Sequence, residues 1–287
     1  MDYTFLQVCA MFFAYAMLGW CAEVAFAAVC TGKFVNRGFL NGPVCPIYGF
    51  GVVIVVLCLT PVQHNTPLLF AGAVVLTSLL EYVTGFALEK IFHSRWWDYS
   101  DMPFNLSGYV CLKFSLLWGF ACLLVMKLLH PTVMLLINHI PSVLLRVLVA
   151  LMAVGIAADL AVTVLGIRRM QRRLSLLTRL TGELRELSDA MGEHISDNVL
   201  AAMDALVDAR DAVEERKAEF DERKSVVEEE SRQRLEALRQ KRAEIRELLA
   251  QRSRMDSRIL RAFPGLRSHL NQEALERLRE KYFGGRD

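Results

Sequence analysis

Seven residues of the first 167 are charged or strongly polar in apolar surroundings: Glu23, Arg37, Asn41, Glu81, Arg95, Lys113 and Asp159. A charge at bilayer depth costs about 2.5–3.5 kcal/mol, so such groups pair or line a wet cavity. Here they read as substrate-binding residues of a cytoplasm-facing vestibule for a solute or ion. A structural reading competes, in which Glu23 pairs with Arg37 and Glu81 with Arg95 or Lys113 to hold helices together. Three carboxylates face a single lysine, an imbalance that Arg37 and Arg95 can correct by folding back. A paired-carboxylate hydrolase is the weaker alternative. No HExxH and no Ser/His or Cys/His arrangement accompanies the carboxylates, and the six histidines are scattered. The expectation is therefore no enzyme, no cofactor and no metal. The seven cysteines form no CxxC pair and read as buried thiols.

The elements that must position these groups are membrane helices. Crossing about 30 Å of hydrocarbon takes about 20 apolar residues. Segments 4–29, 44–60, 67–89, 108–129 and 142–167 qualify as five spans. The first is too long for a signal peptide and has no basic start, so it is read as retained. His130-Pro131 is expected to stop the fourth span, leaving 132–140 at the interface or folded back. Lys33 and Arg37, Lys90 and Arg95, and Arg168, Arg169, Arg172 and Arg173 fall on one side if there are five spans. The intervening loops 61–66 and 130–141 carry no Lys or Arg. That pattern places the N-terminus outside and the tail in the cytoplasm of an inner-membrane protein. Trp96, Trp97, Asp98 and Tyr99 sit where an interfacial belt is expected.

The spans also look duplicated. A shift of 58 residues overlays Glu23 on Glu81, Phe34 on Phe92 and Arg37 on Arg95. Gly42-Pro43-Val44-Cys45 is answered by Gly108-Tyr109-Val110-Cys111, and Tyr48-Gly49-Phe50 by Trp118-Gly119-Phe120. The second loop is eight residues longer, with the insertion around Trp96–Pro103. Two parallel helix pairs about a pseudo-two-fold axis are expected, and transporters of that design bind at the repeat interface. The Gly/Pro-rich stretch from Gly38 to Gly51 could present backbone carbonyls, tolerated at membrane depth only when buried or lining a cavity.

Composition changes abruptly after residue 167. Residues 1–167 hold 7 Lys/Arg and 7 Asp/Glu, and residues 168–287 hold the remaining 26 and 24 of the totals 33 and 31. A mean hydropathy of +0.31 excludes one water-soluble domain. The interleaved signs of the tail argue against nucleic-acid binding. Leu177, Leu180, Leu184, Leu187 and Met191 alternate spacings of three and four, and a weaker seam returns at Leu235, Leu238, Ile245 and Leu249. Residues 168–263 are read as a cytoplasmic helical or coiled-coil region, able to fold into a hairpin or to self-associate. Pro264-Gly265 breaks it, and a short helix at about 271–282 follows within 264–287.

The run Gly32-Lys33-Phe34-Val35-Asn36-Arg37-Gly38-Phe39-Leu40-Asn41-Gly42-Pro43, continuing to Gly51, resembles the CmpB-type family of bacterial ABC-transporter permeases. So do Leu80-Glu81-Tyr82-Val83-Thr84-Gly85 and Arg95-Trp96-Trp97-Asp98-Tyr99-Ser100-Asp101 with Asn105 and Gly108. The similarity covers roughly residues 10–165, and Arg261-Ala262-Phe263-Pro264 resembles members with a long C-terminal extension. It implies a membrane-embedded permease subunit. The chain has no GxxxxGK[ST] phosphate loop, so an ATPase subunit would act in trans. The non-transport alternative is a membrane-anchored scaffold or sensor that recruits a partner through its tail.

Overall fold

Thr4 opens the first helix with a capping box. Its hydroxyl accepts from the Gln7 amide at 3.3 Å, and the Gln7 side chain accepts from the Thr4 amide at 2.9 Å. The computed structural model describes residues 3–208, 215–251 and 253–284, and the molecule is about 80% helical. Helix α1 (Phe5–Thr31) stops at Gly32, whose φ of 65° favours glycine. Helix α2 (Pro46–Leu59) starts with its proline in the first turn, where the missing amide costs no hydrogen bond. Helix α3 (Thr66–Phe92) is capped by Asn65, which accepts from the Leu68 amide at 3.2 Å.

Strands β1 (Ser94–Arg95), β2 (Asn105–Leu106) and β3 (Val110–Cys111) follow, β2 and β3 forming a hairpin. Then come α4 (Leu112–Leu124), a π-turn at Val125–Leu129 and α5 (His130–His139). The expected stop at His130-Pro131 does not occur. The π-turn shifts the hydrogen-bond register just before Pro131, which takes a first-turn position of α5 where its missing donor is tolerated. Together these pieces make one apolar helix, Leu112–His139, so 132–140 does not fold back. Helix α6 spans Ser142–Asp208 and α7 spans Glu215–Ala250. Helix α8 (Arg254–Ala262), strand β4 (Arg267–Ser268) and helix α9 (Gln272–Phe283) complete the order.

Among the described residues, four helices are long and apolar enough to cross a membrane: Phe5–Thr31, Thr66–Phe92, Leu112–His139 and Ser142–Ala201. The second segment of the sequence reading, 44–60, falls on the shorter apolar stretch Pro46–Val62. Helix α1 packs on α2, and α3 on α4. Their shared core includes Met11, Tyr15, Val55, Val56, Leu69, Ala73, Cys122 and Met126. Outward-facing Val75, Leu79, Leu151 and Val154 remain exposed, as lipid-facing side chains would be.

The chain divides into two compact units, Met1–Gln171 with Ser253–Gln272, and Arg172–Arg252 with Glu273–Asp287. In the second unit, α6 and α7 run antiparallel. Lys241 pairs with Glu183 at 2.6 Å, and Arg234 donates to the Ala190 carbonyl at 3.0 Å. Leu174, Leu177 and Leu180 are buried on one side, and Leu238 and Ile245 on the other. Leu184, Leu187 and Met191 of the expected seam are half-buried and Leu235 is exposed, so the two helices bury only part of it. Residues 209–214 lie outside the described residues.

Candidate functional site

Two helix-pair interiors carry the first unit's polar groups. In the first, Glu23 of α1 pairs with Arg37 at 3.3 Å and accepts from the Tyr48 hydroxyl at 2.6 Å. The Tyr48 ring lies over Gly19, where any Cβ would come within 2.3 Å of it. Arg37 also stands over the Phe26 ring at 5.5 Å. In the second, Glu81 of α3 accepts from the Tyr99 hydroxyl at 3.3 Å, and its other carboxylate oxygen is buried without a hydrogen-bond partner. Tyr99 stacks on Phe114 at 5.0 Å. Burial first, then the Glu81 carboxylate and more weakly that of Glu23, push the Tyr99 phenol above its ordinary range. Both carboxylates therefore act on the same phenol. Between the pairs, Tyr48 meets Trp118 edge-on at 5.7 Å.

The pairing of Glu81 with Arg95 or Lys113 does not form. Arg95 pairs with Glu89 at 2.9 Å and Asp98 at 3.3 Å and lies over the Tyr109 ring at 5.1 Å. The longer second loop brings Asp98 to Arg95 and so turns the guanidinium away from Glu81. Lys113 is exposed, with Phe114 its only recorded ring contact among the described residues, at 5.9 Å.

Asn41 and Asp159 do meet. The Asp159 carboxylate accepts from the Asn41 amide at 3.1 Å, the Asn41 side chain at 2.7 Å, the Gly42 amide at 2.7 Å and Thr163 at 3.2 Å. Asn36 holds the other side, accepting from Trp20 at 2.8 Å and donating to the Asn41 carbonyl at 2.8 Å. The carbonyls of Gly38, Phe39 and Leu40 each accept at 3.0 Å from the guanidinium of Arg258 in α8. The Gly/Pro loop is thus satisfied by side chains, so those carbonyls do not line an open cavity. Burial lowers the Arg258 pKa, opposed by the Asp159 charge.

The aromatic run also differs from a lipid-facing belt. Trp96 is buried in a cluster with Phe39, Phe92 and Phe263, 5.3, 5.9 and 4.7 Å between ring centres. Trp97 donates to the Tyr109 carbonyl at 2.9 Å. Asp98 accepts from Ser100 at 2.5 Å and pairs with Arg267 at 2.9 Å. Burial raises the Asp98 pKa, but the Ser100 hydrogen bonds, with Arg95 and Arg267, outweigh it and hold the group below the usual carboxylate range.

Sequence reasoning missed Tyr48, Glu89, Arg258 and the two phenols on His130. The His130 ring is hydrogen-bonded by Tyr3 at 2.9 Å and Tyr15 at 2.8 Å. A phenol in the first turn of an otherwise apolar helix was the available signal for Tyr48. Nothing local marks Arg258 among the tail's many arginines. No cluster of three or more metal-ligating side chains occurs among the described residues.

A family model described as "Putative ABC-transporter type IV", of the CmpB type, matches residues 10–164, more than half of the chain. No solved structure matches. The chain belongs to this CmpB-type family, and with its long apolar helices it is a membrane protein that fits a transporter component.

Proposed function

We propose that the chain is a five-span inner-membrane permease subunit, with α2 as the short fifth span and the tail in the cytoplasm. The solute path runs between two helix pairs related by a pseudo-two-fold axis, with Glu23, Arg37, Tyr48, Glu81 and Tyr99 as its polar wall. One observation carries the reading: Glu81 sits in an apolar span with a buried, unpartnered carboxylate oxygen, on a phenol that also senses Glu23. A carboxylate kept at that depth without a counter-charge is a functional feature by default. Contact between Tyr48 and Trp118, equivalent in the duplicated pattern, supports an axis passing between them. The one-sided Lys/Arg distribution supports the orientation. The ATPase would be a separate subunit, and no catalytic role is assigned to this chain.

A scaffold that works through its tail remains the second reading, favoured by the extent of the second unit. The test is purification of the full chain from its native membrane, with co-isolated solutes, lipids and proteins identified by mass spectrometry. An ATPase subunit and a small solute lost in Glu81→Gln are expected. A bound partner that depends on residues 172–252, with no solute and no effect of Glu81→Gln, would establish the scaffold instead.

A further inference from the structure

Residues 253–272 belong to the compact unit of the membrane helices, although the chain on either side belongs to the other unit. Their attachment is spread over several elements. Met255 covers Gly166 of α6, where a Cβ would fall within 2.6 Å of its side chain. Phe263 meets Trp96 edge-on. Strand β4 pairs antiparallel with β1, Ser268 opposite Ser94 and Arg267 opposite Arg95. Arg267 reaches Asp98, and His269 contacts Glu89 at 2.9 Å. Ile259, Leu260 and Leu266 are buried beneath.

The attachment is also incomplete. Arg258 Nε and Trp96 Nε1, both at this seam, are buried without hydrogen-bond partners. Each such orphan costs about 1–3 kcal/mol. Arg267 and His269 are 62% and 49% exposed, so their ionic contacts are screened by salt. Cavities of about 220 and 230 Å³ open along the seam, one at Glu89, His93 and His269, the other at Phe34, Asn36 and Arg261. A segment so held separates from its seat more readily than the helices beneath it.

Arg258 is the centre of the contact. Its guanidinium fills a cradle of three convergent carbonyls, close enough to Asp159 for that charge to act on it. We propose that residues 253–272 form a releasable strap whose Arg258 is the tethered occupant of a cation site on loop 38–40. Released, the cradle presents three carbonyls and a neighbouring carboxylate to a guanidinium or ammonium group. The inference holds whether or not the helices carry a solute.

Hydrogen exchange on the full chain in lipid nanodiscs tests it, with methylguanidinium as the probe. In the wild type, amides of 257–269 should exchange faster than those of α1 and α2, and faster still in added NaCl. Arg267→Glu should speed exchange of 257–269 and of 38–42 by about two- to fivefold. Arg258→Ala should speed exchange at 38–42, and methylguanidinium should slow it again relative to equimolar NaCl. A strap as protected as α1 and indifferent to Arg267→Glu would overturn the proposal, as would one freely exchanging in the wild type. Methylguanidinium behaving like NaCl would refute the cation site.

Discussion

The helix pairs α1–α2 and α3–α4 match in packing and differ in charge. Phe12 meets Phe50 at 4.7 Å and 56°, and Phe70 meets Phe120 at 4.8 Å and 49°. A Cβ on Gly49 would strike Phe12, and one on Gly119 would strike Phe70 and Val74. Phe12 and Phe70 are 58 residues apart, Phe50 and Phe120 are 70 apart like Gly49 and Gly119, and the helix starts at Cys45 and Cys111 are 66 apart. The extra four residues make about one helical turn, which keeps the same face inward. The polar groups did not keep step. Arg37 stays on Glu23, whereas Arg95 pairs with Glu89 near the end of α3 and with Asp98 in its own longer loop, and leaves Glu81 to a phenol. Close packing tolerates little change of shape, while a long arginine side chain is redirected by whichever carboxylate a loop brings near.

The largest effect should come from the glycines. Gly49→Ala places a methyl 2.7 Å from the Phe12 carbonyl oxygen and ring, and Gly119→Ala meets only side chains, nearest Val74 at 2.5 Å. Both should destabilise, within the roughly 1–3 kcal/mol usual for overpacking, and Gly49→Ala more, because backbone cannot swing aside. Thermal unfolding of the full chain in detergent checks this. Equal losses would mean the two contacts relax alike.

Next comes the loop that only the first pair has tied down. Asp159→Ala removes the acceptor for two backbone amides and should cost about 2 kcal/mol. No counterpart in the second pair accepts from two backbone amides of another element: Asn105 binds within its own loop, and Asp98 accepts from the Ser100 amide of its own loop and pairs with the Arg267 side chain. Faster hydrogen exchange at Asn41 and Gly42, with little change at 105–108, is the expected signature.

The smallest effect is acid sensitivity of the second loop. The folded-state pKa of Asp98 lies below its ordinary value, so its contribution is present above about pH 4 and fades as pH falls further. Exchange at 94–100 should rise in that window. No change would mean that Asp98 holds nothing in place.

Much of this was legible in the sequence, and the rest was not for physical reasons. Apolar length marked the helices, and scarce charges marked Glu23, Arg37 and Glu81. Pro131 was misleading because a π-turn absorbs a proline that local rules treat as a stop. Arg95 was misleading because Glu89, eight residues past Glu81 on α3, and Asp98 in the following loop take its guanidinium. The belt reading of Trp96 failed on a long-range contact with Phe263, 167 residues away. Arg258 was hidden for the same reason, since its acceptors are backbone carbonyls that any sequence possesses.

The central claim is that the two pairs share packing and divide in charge, leaving Glu81 free to serve the path. Double-mutant cycles on unfolding of the full chain test it most directly, with Glu23→Gln and Arg37→Gln in one cycle and Glu81→Gln and Arg95→Gln in the other. A coupling of about 1 kcal/mol is expected for the first pair, as for a partly exposed ion pair. The second should be zero within about 0.3–0.5 kcal/mol, the scatter of independent sites. Equal couplings in the two cycles would contradict the account and return Glu81 to a structural ion pair.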